Sequence, residues 1–388
     1  MSAVILRTLG AQLYRCPVEA PVVTSFGVMH DRPMLLVRAE ADDGAVGWGE
    51  VWCNFPAFGA EHRARIVDRI LAPLATGRPF ADPPAAFAAL TDATAVIALQ
   101  SGEPGPFAQC IAGVDIALWD LAARRTGQPL WRLLGGASPA VPVYASGLNP
   151  DRPGRLAAAC QAAGFRAFKL KIGFGAARDQ ANLADLRHTL GDGAALMADV
   201  NQGWTLDTAQ AAVPWLLPFR LDWLEEPLRA DRPWAEWQLL AGAGIPLAAG
   251  ENLAGEAFAG AIASRALAVL QPDAAKWGGI SGTLPLARRI AAAGLRYCPH
   301  WLGGGIGLLA SAHLLAAAGG TDLLKTDLMR TDLMKTGLLE VDANPNPLRI
   351  LTCGPLGHIH DGRAVLSGEP GLGPAPDEAA LQPYRVAA

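Results

Sequence analysis

Three carboxylates recur at an even spacing in the middle of the chain, and each directly follows a short apolar run. They are Asp199, Glu225 and Glu251, and both steps between them are 26 residues. One buried strand with its return helix takes about 25–30 residues in a parallel (β/α)₈ barrel, where successive strands end at one mouth. Mg²⁺ prefers oxygen ligands, whereas like charges brought together are unfavourable unless a cation compensates them. Each acid alone could be a helix cap or a solvated loop residue, but jointly they predict a magnesium site.

Two lysines lie one strand before the first of these acids. Lys169 and Lys171 are two residues apart in an apolar segment, so on a strand both point to one face, which in a barrel is the interior. The alternative, an external ion-pairing pair, is disfavoured by the apolar neighbours. Neighbouring ammonium groups and a nearby Mg²⁺ lower the pKa of a lysine. We therefore expect a lysine here that can act as a general base near neutral pH.

Further candidates follow the later strands. Asp273 and Lys276 come after the sixth strand, and His300 follows the seventh, 27 residues beyond Asp273. A carboxylate beside an imidazole fixes its tautomer and raises its basicity, so Asp273 and His300 are predicted to form a dyad. A lone histidine is more often structural. Glu340, at the end of the eighth strand, is as readily an ordinary strand-end acid as a functional one.

The barrel is predicted from apolar strands that alternate with alanine-rich helical stretches, which gives an α/β fold of the TIM-barrel type. We interpret residues 1–137 as a separate α+β capping domain, 138–351 as the barrel, and 352–388 as a segment that packs back on the capping domain. The eight candidate strands are Val141–Ser146, Ala167–Ile172, Ala195–Val200, Leu221–Glu225, Pro246–Gly250, Leu267–Pro272, Arg296–Pro299 and Leu338–Val341.

The first unit has its own local signals. Met34–Arg38 and Ala45–Val51 are strand-like runs joined by a turn, and apolar residues from Ile111 to Leu121 fall on one face of a helix. Residues 321–335 form a five-residue repeat, which matches neither one helix face nor one strand face. We interpret this repeat as a local insertion at the barrel mouth.

Composition argues against several classes of function. The 388 residues carry a net charge of −4 with scattered Lys and Arg, so no nucleic-acid partner is expected. Six cysteines without a Cys-x-x-Cys pair indicate a reduced, cytoplasmic protein with buried thiols. The N-terminus lacks a secretory-signal pattern. The apolar stretch Gly303–Gly320 contains six glycines and predicts a loop and a buried helix, so no membrane partner is expected.

Together these motifs resemble the enolase superfamily, specifically its mandelate racemase/muconate lactonizing enzyme group, over nearly the whole chain. The resemblance implies an α+β capping domain, a modified (β/α)₇β barrel, one essential Mg²⁺ per subunit and a small-molecule carboxylate substrate. We also expect a homo-oligomer. The motifs that carry the resemblance are Asp115–Asp120, Leu133–Gly136, Lys169-x-Lys171, the three acids and the pair Asp273…His300.

The resemblance also implies a shared first step, in which a base removes the proton α to a carboxylate and the metal stabilises the enediolate. It assigns Lys171 as the base, Lys169 as a contact to the substrate carboxylate, and the dyad to the opposite face. Glu340 would donate a hydrogen bond to the enediolate if it is protonated. Lys276 corresponds to the second acid/base of the muconate lactonizing and dipeptide epimerase branches. The dyad favours His300 instead, and with it the mandelate racemase branch.

Specificity is expected from two capping-domain loops, Val22–His30 and Trp52–Phe58, that close on the barrel mouth. For the aromatic residues nearby, interdomain packing is the alternative interpretation. The candidate substrate contacts are Asn201, Trp52, Phe55 and Trp301.

Dehydration of a hydroxy or sugar acid is favoured over racemisation or epimerisation of a 2-hydroxy acid or amino-acid derivative, because His300 can protonate a leaving β-hydroxyl. Racemisation needs two bases on opposite faces, which Lys171 and His300 could equally provide. Two other classes remain open. One is a Schiff-base aldolase that uses a lysine, and the other is a metal-binding barrel without turnover.

Overall fold

The computed structural model describes residues 3–23, 27–318 and 337–387. In these ranges an antiparallel sheet is followed along the chain by a parallel barrel. The five-residue repeat at 321–335 and residues 24–26 of the loop Val22–His30 lie outside the described residues. The predicted α/β fold with a modified TIM barrel and an α+β capping domain is confirmed.

The capping sheet has the strand order β3-β2-β1-β4 and is antiparallel. The predicted run Met34–Arg38 lies within β2, and the predicted run Ala45–Val51 contains β3, but the sequence did not indicate β1. Pro17 interrupts β1, and its register with β2 shifts between Pro17 and Val22; proline inside a run argues against a strand, so pairing with β2 defines β1. The strands are β1 (Val4–Val23), β2 (Val28–Ala41), β3 (Val46–Val51) and β4 (Pro79–Phe80).

Helices of the capping domain pack on this sheet, and the longest of them, α4, lies against β3. Helix α4 contains the predicted Ile111–Leu121 face. It is long and apolar enough to cross a membrane, but 83% of its most apolar window is buried inside the protein, as in a core helix. The helices are α1 (Gly59–Ile66), α2 (Ala72–Ala75), α3 (Pro83–Ser101), α4 (Pro104–Arg125) and α5 (Leu130–Leu133), with a π-helical turn at Val67–Leu71.

Eight parallel strands form the barrel, and each overlaps one of the predicted segments, although several are shorter. They are β5 (Ala140–Leu148), β6 (Ala167–Lys171), β7 (Ala195–Asp199), β8 (Leu224–Glu225), β9 (Leu247–Ala249), β10 (Val269–Leu270), β11 (Arg296–Tyr297) and β12 (Leu339–Asp342). The helices that connect them within the described residues are α6 (Pro153–Ala162), α7 (Ala176–Leu190), α8 (Leu206–Leu216), α9 (Trp234–Ala241), α10 (Ala257–Ser264), α11 (Gly279–Ala292) and α12 (Gly305–Ala318).

The C-terminal segment contacts both units. Its strand β13 pairs antiparallel with β5. The amide of Leu372 donates to Asp120 Oδ1 of α4 at 2.6 Å, and the amide of Val386 donates to the Leu13 carbonyl of β1 at 3.0 Å. The elements of this part of the chain are α13 (Pro347–Thr352), β13 (Arg363–Val365) and α14 (Glu378–Leu381).

Strand register decides which residues reach the barrel mouth. Lys171 of β6 lies opposite Asp199 of β7, and Asp199 lies opposite Glu225 of β8. Residues in one register row of a parallel sheet point to the same face, so these three side chains form a row at the carboxyl ends of the strands. Lys169 lies two residues earlier, beneath them. The sequence therefore places these charges side by side only because the strands are parallel and in register.

Close packing of β3 on α4 generates a prediction. A Cβ at Gly49 would overlap the Gly113 carbonyl oxygen and lie 2.8 Å from the Ala117 amide nitrogen. We expect Gly49→Ala to lower the free energy of unfolding by about 1–3 kcal/mol, because the helix must move away from the sheet. Gly368→Ala, at a position with no atom within 4 Å of the new Cβ, is the control. Urea denaturation of both variants checks this, and equal midpoints would contradict it.

Candidate active site

The three predicted metal ligands end consecutive barrel strands at the mouth. Asp199 and Glu225 are the last residues of β7 and β8 and are 1% and 2% exposed. Glu251 follows β9 after Gly250, whose φ of +147° and close approach to Gln271 suit a residue without a side chain. The carboxylates are thus brought to one region from three neighbouring strands.

Lys169 lies buried between acids of two sides of the barrel. Its Nζ contacts Glu225 Oε1 and is 2.9 Å from Glu340 Oε1 and 3.6 Å from Asp199 Oδ2. Burial by itself lowers the pKa of Lys169, but Glu225 and Glu340 outweigh it and raise the pKa well above 10.5. Lys169 is therefore an ammonium group that compensates buried carboxylates.

Lys171 lies closer to the solvent and contacts one acid. Its Nζ is 2.5 Å from Asp199 Oδ2. Burial and the neighbouring Lys169 lower the pKa of Lys171, as expected from the sequence, yet Asp199 makes the net shift upward. The expected low pKa is thus absent while Asp199 is the partner of Lys171. Any cation that drew the Asp199 carboxylate away would remove the main cause of that upward shift.

His300 and Asp273 form the predicted contact. His300 Nδ1 is 2.8 Å from Asp273 Oδ2, and His300 Nε2 is 2.8 Å from Glu251 Oε2. Burial lowers the pKa of His300, but Glu251 and Glu340 raise it by more than burial lowers it. The net pKa of His300 is therefore well above 6.5. The dyad therefore presents Nε2 to the mouth, beside one of the predicted metal ligands.

Lys276 reaches the same oxygen as His300. Its Nζ is 2.9 Å from Glu251 Oε2 and 3.2 Å from Asn252 Oδ1, and it lies 4.5 Å from the ring centroid of Trp52. Both candidates for the second acid/base thus meet at Glu251. Distance alone does not distinguish the two candidates. The His300 side chain, however, is oriented by its hydrogen bond with Asp273.

Glu340 was expected to donate a hydrogen bond to the enediolate if its carboxyl group is protonated, and its surroundings do not favour that state. Its carboxylate accepts from Ser146 Oγ, and its Oε2 is 3.4 Å from the amide nitrogen of Trp301. Burial raises the pKa of Glu340, but Lys169 and His300 outweigh burial and lower it. In this arrangement Glu340 is ionised and accepts hydrogen bonds, so it does not meet the requirement for a protonated donor.

The donor chemistry at the mouth fits a divalent cation. Six carboxyl groups face three lysines and one histidine here, so with all six ionised two negative charges would be in excess even with the imidazole protonated. Burial and then Glu251 accordingly raise the pKa of Glu226 well above 4.5. The shortage of positive charge is evident at Glu225, where burial and then Asp199 raise the pKa to about 7 despite the neighbouring Lys169. The six are Asp199, Glu225, Glu226, Glu251, Asp273 and Glu340.

The predicted ligands are nevertheless held apart by basic side chains. In the described ranges, no three His, Cys, Asp or Glu side chains converge closely enough to hold a metal ion. Lys169 and Lys171 contact Asp199, and Lys276 and His300 contact Glu251. Small side-chain movements away from these cations would free oxygen ligands of the kind that Mg²⁺ takes. The assignment of the ligands therefore stays a prediction.

The candidate substrate contacts lie in different surroundings. Asn201 donates its amide to Asp199 Oδ1 at 2.8 Å and its side chain to Oδ2 at 3.2 Å, so it orients that carboxylate. Phe55 is half-buried, with its ring 3.2 Å from where a Cβ of Gly27 would lie. Trp301 is 2% exposed and donates from its indole to the Gly304 carbonyl at 2.7 Å. Its ring is part of the core, which matches the packing alternative.

Trp52 lies at a cavity beside the mouth. The cavity has a volume of about 500 Å³ and lies between the start of α4 and the loops after β9 and β10. A substrate whose carboxylate sits at the mouth could extend into it. The lining residues are Trp52, Pro104, Gly105, Ala108, Gln109, Glu251, Asn252, Leu253, Ala254, Gly255, Lys276 and Trp277.

Sequence reasoning missed several polar residues that hold the site. Gln271 and Trp223 both donate to Glu225 Oε2, at 2.5 and 3.0 Å. Asn252 donates to both oxygens of Glu226, at 2.9 and 3.1 Å. Of these residues, Gln271 could have been identified, because it is a polar residue near the end of the otherwise apolar segment Leu267–Pro272.

Comparison with known proteins was made for the whole chain. Residues 10–135 match the N-terminal domain family of mandelate racemase / muconate lactonizing enzyme, and residues 154–380 match the enolase C-terminal domain-like family. Among curated proteins, a D-galactarolactone cycloisomerase of Agrobacterium fabrum is 32% identical over 364 residues, 92% of each chain. A D-galactonate dehydratase of Klebsiella pneumoniae is 31% identical, over 72% of this chain and 74% of its own.

Solved structures give the same grouping. A mandelate racemase/muconate lactonizing enzyme from Bordetella bronchiseptica RB50 has a TM-score of 0.91 and 57% identity, with 99% of this chain and 100% of that one covered. A racemase from Streptomyces coelicolor with bound magnesium has a TM-score of 0.84, 28% identity and coverage of 98% and 100%. An enolase from Bradyrhizobium complexed with magnesium and mandelic acid has a TM-score of 0.82, 28% identity and coverage of 100% and 99%.

Lys169 provides a test of charge compensation at the mouth. We expect Lys169→Met to lower the free energy of unfolding by about 3–5 kcal/mol, because it removes the nearest counter-charge of the buried Glu225 and Glu340. Arg178→Met is the control, since Arg178 pairs with Asp151 at the surface and its loss is expected to change stability by less than about 0.5 kcal/mol. Urea denaturation measures both, and similar losses in the two variants would refute the interpretation.

Proposed function

The chain belongs to the mandelate racemase/muconate lactonizing enzyme family of the enolase superfamily, and on that premise we propose that it is a Mg²⁺-dependent enzyme that removes the proton α to a substrate carboxylate. The observation that carries the proposal is the position of the two acid/base groups. Lys171 contacts Asp199 at 2.5 Å and His300 contacts Glu251 at 2.8 Å. Both groups therefore adjoin the carboxylates that would hold the metal.

Asp199, Glu225 and Glu251 would hold the ion, which supplies positive charge to the substrate carboxylate as electrons move onto it. Related enzymes with bound magnesium support this choice of metal. Lys169 keeps a positive charge beneath the same carboxylates and can contact the substrate carboxylate. Asn201 keeps Asp199 oriented through its two hydrogen bonds.

Dehydration of a hydroxy or sugar acid is the reaction that we propose. Lys171 takes the α-proton, and the C–H electron pair becomes the enediolate π-bond. The enediolate then expels the β-hydroxyl, to which His300 gives its Nε2 proton, so that water leaves and the enol product becomes the 2-keto acid. Similarity to the D-galactonate dehydratase supports this class.

An isomerase is the second candidate. The D-galactarolactone cycloisomerase matches 92% of this chain, and a racemase is among the similar structures. Racemisation or epimerisation would pass through the same intermediate, with Lys171 and His300 exchanging protons on opposite faces. A cycloisomerase would likewise use a carboxylate-stabilised intermediate and a second acid/base. The fate of the enediolate separates these reactions from dehydration.

Features elsewhere in the chain support proposals about compartment and assembly. All six cysteines are free and buried, which supports our proposal of a reducing, cytoplasmic compartment. On α3, Val96 and Leu99 are 72% and 75% exposed, and such exposed apolar side chains support our proposal of a homo-oligomer.

Proton exchange in D₂O tests the shared half-reaction. With a panel of acid sugars, hydroxy acids and amino-acid derivatives, we expect deuterium at the α-carbon of acids that are recovered after reprotonation. For the substrate that is dehydrated, we expect a 2-keto product with deuterium at C3, because its α-carbon has become the carbonyl carbon. Lys171→Ala should lower the rate by at least about 100-fold, because it removes the general base. Exchange is followed by NMR and the keto acid by a carbonyl reagent.

The outcomes distinguish the candidates. Exchange with inversion and no keto acid would reject dehydration in favour of an isomerase. Full activity of Lys171→Ala would indicate a barrel that does not use this base. Covalent trapping of substrate by borohydride without any need for Mg²⁺ would indicate a Schiff-base aldolase.

Removal of metal tests the ligand assignment. Mg²⁺ should raise the midpoint of thermal unfolding, since a ligand at 100 times its Kd stabilises by about 2.7 kcal/mol. Glu251→Gln should abolish both that rise and the activity. Glu256→Gln is the control, because Glu256 is exposed on the same connection. An unchanged response to Mg²⁺ in Glu251→Gln would exclude Glu251 as a ligand.

A further inference from the structure

Glu50 is a buried carboxylate of the capping domain whose hydrogen-bond partners all lie in the barrel. It is 1% exposed on β3. Its Oε1 accepts from the Gly304 amide at 2.5 Å and its Oε2 accepts from the Gly307 amide at 2.8 Å. Those amides follow His300 by four and seven residues. A capping-domain side chain thus holds the loop that carries the second acid/base.

The start of α12 explains why a carboxylate fits there. Helix α12 begins at Gly305, and the first amides of a helix have no acceptor within the helix and lie at the positive end of its dipole. Glu50 supplies that acceptor from another domain. A Cβ at Gly304 would lie 2.6 Å from Glu50 Oε1, so the missing side chain leaves room for the Glu50 carboxylate at this amide. Burial raises the pKa of Glu50 to about 7, although the amides act to lower it.

Other hydrogen bonds of this loop involve barrel groups and Asn54. The amide of Trp301 donates to Glu340 Oε2 over a long 3.4 Å, and the amide of Gly305 donates to Thr352 Oγ1 at 2.9 Å. Asn54 of the capping domain donates to the Leu302 carbonyl at 2.5 Å, and Asn346 donates to the Gly303 carbonyl at 2.8 Å. Hydrogen bonds to a charged group are stronger than neutral ones. Glu50 accepts from two amides, at 2.5 and 2.8 Å, whereas Asn54 makes one neutral bond. The ionised Glu50 carboxylate is therefore the strongest restraint that the capping domain places on the segment that follows His300.

Asp273 fixes only one of the two ring nitrogens of His300. Asp273 holds Nδ1, which sets the tautomer and the ring plane. The distance of Nε2 from the substrate depends in addition on where the backbone of residue 300 lies. That backbone continues into Trp301 and the Gly303–Gly305 turn, which Glu50 and Asn54 hold from the capping side. Asp273 thus orients the ring, whereas Glu50 fixes the position of the loop.

Asp115 makes an analogous contact on the neighbouring loop. Its Oδ2 accepts from the amides of Ile280 and Ser281, at 2.7 and 2.9 Å, at the start of α11. That helix follows the loop with Asp273 and Lys276. Two capping-domain carboxylates thus cap the two helices that follow the two halves of the dyad, which makes a chance contact at Glu50 a poor explanation.

We propose that Glu50 is a positioning residue through which the capping domain fixes the loop after His300 and so the placement of the second acid/base. The catalytic part of this proposal depends on the proposed function, in which His300 is an acid. The anchoring part does not, because it concerns backbone amides. Substrates would then meet a correctly placed His300 only where the capping domain is docked on the barrel.

The first experiment measures amide hydrogen–deuterium exchange by mass spectrometry in peptides that cover residues 299–309. In Glu50→Gln one side-chain oxygen can still accept, but the amide NH₂ faces a second N–H donor. We expect exchange in these peptides to become at least about fivefold faster. Asp120→Asn is the matched control. Asp120 is a buried capping-domain carboxylate that accepts from the amides of Trp48 and Leu372, and its loss should leave the same peptides within about twofold.

The second experiment measures steady-state kinetics of the Mg²⁺-loaded enzyme with each acid of the panel that the wild type turns over. We expect Glu50→Gln to lower kcat by about 10- to 100-fold, the scale of a misplacement of about 1 Å, and to leave KM within about threefold. Lys169 and the metal ligands do not contact Glu50, so substrate binding should persist. Asp120→Asn should keep kcat within about threefold.

Three results would overturn the proposal. One is unchanged exchange of residues 299–309 in Glu50→Gln. A second is an equal effect of Asp120→Asn on those peptides or on kcat, which would indicate a general loss of stability. A third, which needs no variant, is wild-type exchange of the Gly304 and Gly307 amides as fast as in an exposed loop. If no acid of the panel is turned over, the proposed function fails while the amide measurements still decide the anchoring.

Discussion

Lys169 lies at the bottom of the barrel mouth between Glu225 and Glu340, and the arrangement of the mouth follows from the need to compensate buried carboxylates. An isolated carboxylate in a protein interior costs several kcal/mol, so it must be paired or neutralised. Strand register brings Lys171, Asp199 and Glu225 into one row, which provides part of that compensation. The excess of negative charge that remains is what makes a divalent cation fit.

The pKa values of the two proposed acid/base groups depend on the same carboxylates. Lys171 and His300 each contact a different predicted metal ligand, Asp199 and Glu251, and those acids raise the pKa of both groups above their ordinary values. A metal that takes these carboxylates would relieve that effect, because the acids would then face the cation. Charge compensation therefore links the proposed metal binding to the basicity of the proposed acid/base groups.

The capping domain contributes to the site mainly through buried hydrogen bonds. Glu50 and Asp115 satisfy the first amides of α12 and α11, and the guanidinium of Arg32 contacts Asp342 at the end of β12. Each contact joins the capping domain to a barrel element beside a candidate catalytic residue. Such groups are costly to bury alone, so the two domains support one another at the positions where the chemistry is expected.

Much of the architecture was predictable because its signals are local and periodic. Eight apolar runs, at the spacing that a strand and its return helix require, indicated all eight parallel strands. The turn and helix-face patterns indicated β2, β3 and α4. Strand β1 was missed, since Pro17 interrupts its pattern and the partner that forms it is distant along the chain. The packing of Trp301 and the ionised state of Glu340 also depend on neighbours from other strands.

The sequence by itself determined the barrel, the row of acids at its mouth, the lysine pair and the Asp273–His300 dyad. Residue type, apolar runs and even spacing are properties of the chain, and parallel strands convert equal spacing into proximity. The tertiary structure alone decided which charge faces which, as in Lys169 against Glu225 and Lys276 against Glu251, and which capping-domain carboxylate caps which barrel helix. These pairings join residues far apart in the chain, and their energies depend on burial and on distances of a few ångströms, which no local pattern encodes.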